Sequence, residues 1–207
     1  MRSVFNHVLG PIMRGPSSSH TAGPYFIGRI ARSLLGDDPA EATLIFDPQG
    51  SFAEVFRQQG SDNGFAAGLM GWEITDDRFP QAFDLAPSQG MGIHFQIRSL
   101  PAADHPNCVQ IDVRGRGGRT LSTLARSSGG GAIRFTRLAG WPVSLDGDAH
   151  ELLLLLRPEA EPSVNRCLAG WGEQVSRQSR PGQLFLHWRC HESLPPATIE
   201  RVRSMVG

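Results

Sequence analysis

A hydroxyl-rich segment near the start of the chain has the side chains best suited to binding chemistry. Residues 15–24 read GPSSSHTAGP, and apolar residues follow at helical spacing: Ile27, Ile30, Ala31 and Leu34. The first turn of a helix offers free backbone N–H groups and a positive dipole end, and nearby hydroxyls add hydrogen-bond donors. We therefore predict an anion-binding loop, formed by Ser17, Ser18, Ser19, His20 and Thr21. The alternative is a helix cap with more hydroxyls than a cap needs.

Further along the chain, polar or glycine-rich loops supply more candidate residues. Each candidate has a simpler explanation: a helix cap for Asp62, a turn for His105 and a flexible turn for the glycine run. A triple glycine also lets backbone N–H groups approach a ligand closely. The candidates in these loops are Ser51, Gln59, Ser61, Asp62, His105, Asn107, Gly129, Gly130 and Gly131.

The composition excludes several classes of protein. All 20 basic residues are Arg, so the chain has no lysine amine for a pyridoxal-phosphate Schiff base and none for a nucleotide-binding P-loop. The 20 basic residues balance 20 acidic ones, which gives no electrostatic case for nucleic acid or anionic membrane as a partner.

The three cysteines, Cys108, Cys167 and Cys190, are widely spaced. Without a CxxC or similar pair, we predict that this chain alone holds no metal and no cluster, and that its cysteines serve packing. The longest apolar run, residues 152–156, is too short to cross a bilayer. We expect a soluble, cytoplasmic protein.

Periodicity predicts a mixed α/β fold for residues 1–140. A strand over 42–46 precedes helical stretches at 52–57 and around 66–70. From residue 91 the period changes to two, which predicts strands near 93–97 and 109–113 and weaker ones at 120–125 and 133–138, with a hairpin turn at 115–118.

The tail, residues 150–207, is expected to form a small α+β unit. Its pattern predicts a strand over 152–157, a helix over 162–175, a strand over 183–190 and a short helix over 195–206. The region of Trp141 and Pro142 would join it to the first unit.

The order of these motifs resembles the β chain, or β domain, of the iron–sulfur L-serine dehydratases. Segments that carry the resemblance begin with Ser3-Val4-Phe5 and Gly10-Pro11-Ile12-Met13 and continue through GPSSSHTAGP and Gly50-Ser51-Phe52-Ala53. His105-Pro106-Asn107 and the run from Ser127 to Gly131 complete the order. The tail resembles a shortened ACT domain, which normally runs βαββαβ.

The resemblance implies β-elimination of water from a hydroxy-amino acid. In this family a [4Fe-4S] cluster acts as the Lewis acid, and its cysteines lie in an α chain or α domain. The implied partners are that cluster-bearing α chain and a small amino-acid or carboxylate substrate; a homodimer is left open. The family's SSSHT segment helps to bind the substrate carboxylate, in agreement with the anion loop inferred above.

One position departs from the family pattern. The family has K-G-H-x-T-D after its G-S motif, whereas this chain reads Arg57-Gln58-Gln59-Gly60-Ser61-Asp62. A glutamine amide does not take up a proton near pH 7, so Gln59 cannot replace a histidine base. Three readings stay open: a lyase subunit in which His20 or His105 moves the proton or the substrate differs, a non-catalytic small-carboxylate or amino-acid binding protein, and an enzyme that acts alone in another reaction.

Overall fold

The computed structural model describes residues 14–206, which form two compact units. The boundary between them along the sequence lies between Asp146 and Gly147. The Ser3-Val4-Phe5 and Gly10-Pro11-Ile12-Met13 segments lie outside the described residues. The fold class is mixed α/β, as predicted, with one sheet in each unit.

A six-stranded mixed sheet forms the first unit. Its strands are β1 (Pro39–Phe46), β2 (Gly92–Ile97), β3 (Cys108–Gly115), β4 (Thr120–Gly129), β5 (Ala132–Leu138) and β6 (Trp141–Leu145). The spatial order is β2-β1-β3-β4-β5-β6. Only the β1–β2 pair is parallel in this order, and each later neighbour is antiparallel. Strands β3 to β6 are thus a meander, for which short turns suffice.

Helices cover one face of this sheet. They are α1 (Ala22–Leu35), α2 (Ser51–Val55), α3 (Ser61–Met70) and α4 (Ala82–Leu85), with single 3₁₀ turns at Phe79–Gln81 and Ala86–Gln89. Helix α1 buries its apolar stripe and ends where Gly36 adopts a left-handed conformation at φ 62°. The inward residues of β3, Val109, Ile111 and Val113, lie at or below 3% exposure.

The predicted strands and helices of the first unit are present, with bounds that differ by a few residues. Strand β6 is an addition, because its residues were interpreted only as a connection. The short helical turns over residues 79–89 were also not predicted.

The second unit is a three-stranded antiparallel sheet with two helices. The elements are β7 (His150–Leu156), a 3₁₀ turn at Pro158–Ala160, α5 (Glu161–Leu168), β8 (Gly172–Arg180), β9 (Gln183–Cys190) and α6 (Pro196–Val206). Strand β9 lies between β7 and β8 and is antiparallel to both, so β7-α5-β8 is a split βαβ motif. The ACT-like assignment of this unit stays a prediction.

The predicted helix over 162–175 is wrong in its second half. Helix α5 ends at Leu168, Gly170 has a φ of +86°, and the chain continues as strand β8. Most of β8 is solvent-exposed, so its sequence shows no apolar alternation that would have revealed a strand. The observed order is therefore β-α-β-β-α instead of the predicted β-α-β-α. No helix within residues 14–206 is long and apolar enough to span a membrane.

Candidate functional site

His20 is the centre of the hydroxyl-rich loop. Its Nδ1 lies 3.2 Å from Ser17 Oγ and 3.1 Å from Ser19 Oγ, and its Nε2 lies 3.0 Å from Ser51 Oγ. The imidazole is 7% exposed and meets the Phe52 ring edge-on, with ring centroids 5.4 Å apart. Both ring nitrogens therefore contact hydroxyls, and three serines from two separate loops are oriented around one imidazole.

The helix-cap alternative fails on the geometry of Thr21. Thr21 occupies the N-cap position of α1, yet its side chain makes no cap hydrogen bond to that helix. Its hydroxyl instead donates to the Gln59 carbonyl oxygen at 2.9 Å. The Thr21 hydroxyl is thus directed to another segment, and those of Ser17 and Ser19 face the His20 ring, so capping of α1 does not explain them.

The loop is also held from the first turn of α3. Ser61 Oγ donates to the His20 carbonyl oxygen at 2.7 Å in a fully buried bond. Glycines make the approach of α1 and α3 close enough for this contact. A Cβ at Gly64 would lie 2.6 Å from the Thr21 carbonyl oxygen, and one at Gly68 would lie 2.2 Å from the Tyr25 carbonyl oxygen. These distances are shorter than van der Waals contact, so only glycine fits without a shift of the helices.

The segment His105-Pro106-Asn107 lies against the loop that carries Ser51. A Cβ at Gly50 would be 2.7 Å from the Pro106 carbonyl oxygen. His105 Nδ1 accepts the Asn107 backbone N–H at 3.0 Å. Because Nδ1 accepts, the neutral His105 ring has its proton on Nε2. In that tautomer the ring can donate a proton from Nε2 but cannot accept one there.

The glycine run closes the loop from the opposite side. Gly129, Gly130 and Gly131 form the β4–β5 turn with φ values of 93°, 62° and 78°, a conformation that disfavours side chains. The Gly130 N–H donates to Ser18 Oγ at 3.2 Å. This contact ties the β4–β5 turn to the hydroxyl loop.

Two buried polar atoms at this place have no hydrogen-bond partner among the described residues. They are Ser127 Oγ and Asn107 Oδ1. Ser127 is fully buried beside Gly23, where a Cβ would lie 2.1 Å from Ser127 Oγ. Its backbone N–H donates to the Asn107 carbonyl oxygen at 3.0 Å, so the two residues belong to one contact. Unpartnered buried polar atoms are uncommon in proteins, and a bound water or a further group would satisfy these two.

Ser127 was not singled out from the sequence. It lies two residues before the first of the three glycines, and the resemblance covered the run from Ser127 to Gly131 as a whole. Its position near the end of β4, separated from the three glycines only by Ser128, is the signal that could have drawn attention to it. In isolation a serine before a turn is too common to be diagnostic.

Burial sets the protonation of two groups in this region. Desolvation lowers the pKa of His20 below its ordinary value of 6.5, which favours the neutral imidazole near pH 7. Desolvation raises the pKa of Asp62 above its ordinary value of 3.8, although the backbone N–H of Asn63 and the nearby Arg57 charge oppose that shift. Asp62 lies in the first turn of α3 and is 9% exposed.

Gln59 presents its backbone to the loop as the acceptor for Thr21. The segment 57–62 therefore lies beside the SSSHT loop, whatever side chain occupies position 59. The five segments singled out from the sequence thus meet through hydrogen bonds and close backbone contacts.

The side chains that the structure describes do not fit an iron–sulfur cluster. Across residues 14–206 no three His, Cys, Asp or Glu side chains are grouped so as to hold a metal ion. The three cysteines are buried, which agrees with the predicted packing role, and burial raises the pKa of Cys108 to about 11. A thiol of this kind is not the thiolate that a cluster needs.

Comparison with known proteins gives related sequences. No protein-family model matches the chain. It is 38% identical to a probable L-serine dehydratase, beta chain, of Bacillus subtilis (strain 168). The aligned region of 154 residues covers 74% of this chain and 68% of that relative. Over 147 residues it is 35% identical to the L-serine dehydratase, beta chain, of Peptoniphilus asaccharolyticus, which covers 71% of this chain and 65% of that relative. The chain therefore belongs to the L-serine dehydratase β-chain family.

Proposed function

We propose that this chain is the β subunit of a lyase that eliminates water from L-serine or a related hydroxy-amino acid. Its role is to bind the substrate carboxylate with loop 17–21, at a site shared with an α chain. The observation that carries the proposal is the convergence of Ser17, Ser19 and Ser51 on the buried His20 ring.

The hydrogen-bond arithmetic at His20 supports carboxylate binding. A neutral imidazole has one N–H donor and one acceptor nitrogen, while each serine hydroxyl has one proton to donate. The ring therefore accepts at one nitrogen only. When Nδ1 carries the ring proton, Ser51 Oγ donates to Nε2, and Ser17 Oγ and Ser19 Oγ, which lie 3.1 Å apart, can use only one of their two protons on each other. The other proton is then left for another acceptor. A carboxylate is such an acceptor, and Ser18 Oγ, which accepts the Gly130 N–H, keeps its own proton as a further donor in the same loop.

The proton transfer needs a separate assignment. The base must take the α-proton of the substrate, and Gln59 cannot do this. His20, which burial holds neutral, has one unprotonated ring nitrogen and is the first candidate. Asp62 and His105 are the others; in its Nε2–H tautomer His105 suits the donor role better than the base role.

The α chain would complete the site. The resemblance assigns to it a [4Fe-4S] cluster, which supplies a Lewis acid for the departing hydroxyl.

The test is steady-state kinetics of the complex with a cluster-type α chain. L-serine is the substrate and pyruvate release is the readout. Replacing Ser17 or Ser51 with Ala should raise KM by about 10- to 100-fold, the effect of losing a hydrogen bond to a charged group. The matched control is Ser179→Ala, on an exposed position of β8. Unchanged kinetics in both loop variants would refute the assignment.

Gln59 favours a second candidate, a non-catalytic binding protein that keeps the anion loop. This candidate predicts that the chain binds L-serine or a small carboxylate, that binding falls in the same serine variants, and that no pyruvate is released with any α chain. Calorimetric titration beside the kinetic assay separates the two functions.

A further inference from the structure

A cavity of about 250 Å³ lies in the first unit on the sheet face opposite α1 and α3. Its floor is a row of paired residues on three neighbouring strands, Gln110 on β3, Leu124 on β4 and Arg137 on β5. The segment after β2, from Arg98 to Ala102, forms the other wall. No residue of loop 17–21 lines this cavity, so it is separate from the site described above.

Two arginines line the cavity without an acidic partner. Within the part of the chain that the structure describes, the side chains of Arg98 and Arg137 make no hydrogen bond and no ion pair. Other arginines of the same sheet are paired: Arg114 with Glu41, Arg126 with Asp104 and Arg134 with Asp146. An arginine without a carboxylate keeps its full capacity to bind an oxyanion through its fork of N–H donors.

A β-bulge places Arg137 in the cavity. Phe135 pairs with Ala125 and is fully buried, whereas Arg137 pairs with Leu124, so one extra residue of β5 lies between the two pairs. Simple alternation would put residues 135 and 137 on the same face. The bulge reverses this, and Arg137 joins the row that contains Gln110 instead of the core.

The wall segment is fixed by backbone hydrogen bonds. The Arg98 N–H donates to the Phe46 carbonyl oxygen at 3.0 Å, and the Leu100 N–H donates to Asp47 Oδ2 at 2.8 Å. These bonds hold Arg98 at the rim, and Leu100 and Pro101 supply apolar surface beside it.

The carboxylate of Asp112, on the same strand as Gln110, already accepts hydrogen bonds from two lining residues. Asp112 accepts Gln110 Nε2 at 3.1 and 3.0 Å and Ser122 Oγ at 2.6 Å. Asp112 is not itself a lining residue, while Gln110 and Ser122 are. The lining therefore carries two positive charges, neutral polar groups and apolar carbon.

We propose that this cavity binds a small organic dianion, with its oxygens at Arg98 and Arg137 and a short carbon body against Leu100 and Leu124. Phosphate monoesters and dicarboxylates share this chemistry. The proposal is independent of the proposed function, because none of its residues belongs to the loop around His20.

Isothermal titration calorimetry on the full chain at low ionic strength tests it, with glycerol 3-phosphate and succinate as the two probes. We expect at least one to bind at about millimolar concentration or below, and the two titrations distinguish the phosphate from the dicarboxylate. Arg98→Ala and Arg137→Ala should each weaken binding by about tenfold or more. Gln110→Glu, which adds a negative charge at nearly constant volume, should abolish it.

The control for net charge is Arg201→Ala, an exposed position of α6 in the second unit. It should leave the affinity within about twofold, since exposed distant charges are screened. Thermal unfolding of every variant verifies folding. The proposal is overturned if neither probe binds, if both arginine variants bind like the unmodified chain, or if Arg201→Ala loses as much affinity as they do.

Discussion

Removing the Ser61 hydroxyl should destabilise the first unit more than removing an exposed hydroxyl that makes a hydrogen bond of the same length. Ser61 Oγ donates to the His20 carbonyl oxygen at 2.7 Å, and Ser61 is fully buried. Ser61→Ala leaves that carbonyl buried without this donor, which costs about 1–3 kcal/mol. For a unit of this size, a loss of about 2 kcal/mol lowers Tm by roughly 4–8 °C.

The chain contains a matched control for this change. Ser88 Oγ donates to the Leu85 carbonyl oxygen, also at 2.7 Å, but this bond is exposed to solvent. Water replaces it in Ser88→Ala, so the loss should stay within about 0.5 kcal/mol. Thermal unfolding followed by circular dichroism measures both variants. Equal shifts in Tm would show that burial of the His20 carbonyl does not set the cost.

Other substitutions test separate parts of the structure. Gly68→Ala should cost about 1–3 kcal/mol by chemical denaturation because its Cβ would overlap the Tyr25 carbonyl oxygen, whereas Gly92→Ala, whose nearest neighbour would be 3.6 Å away, should be nearly neutral. Asp62 has a raised folded-state pKa, so its own contribution to the free energy of unfolding should fall as pH rises from about 3.8 to that pKa, and the stability difference between the unmodified chain and Asp62→Asn should change with pH accordingly; a difference that stays constant with pH contradicts the assignment. Gln59→His should raise pyruvate release by the α-chain complex by roughly 10²-fold or more if position 59 is its only defect; a complex already fast with Gln59 places the base elsewhere.

The hydroxyl-rich loop and the first helix could be predicted because their signals are local. Glycine, proline and five polar residues precede a clean helical period, and α1 follows as expected. The resemblance then supplied the other segments in their order. Their contact in space was not visible, since no local pattern states that Ser18 meets Gly130 or that Gly64 and Gly68 let two helices approach.

Local patterns failed where tertiary structure decides the conformation. Strand β8 is paired on one side only and is largely exposed, so it carries no apolar alternation. The β5 bulge is equally invisible, because one inserted residue changes which side chains share a face without a composition signal. The cavity beside Arg137 could not have been inferred from sequence for this reason.

The long-range closure of the loop has a consequence for the order of folding during synthesis. The Ser61–His20 bond joins residues 41 apart, whereas the Gly130–Ser18 bond joins residues 112 apart. On the ribosome the α1–α3 contact can therefore form early, while the glycine wall arrives only after most of the chain has emerged. Loop 17–21 is therefore completed late, because its contact with Gly130 cannot form before the β4–β5 hairpin has formed.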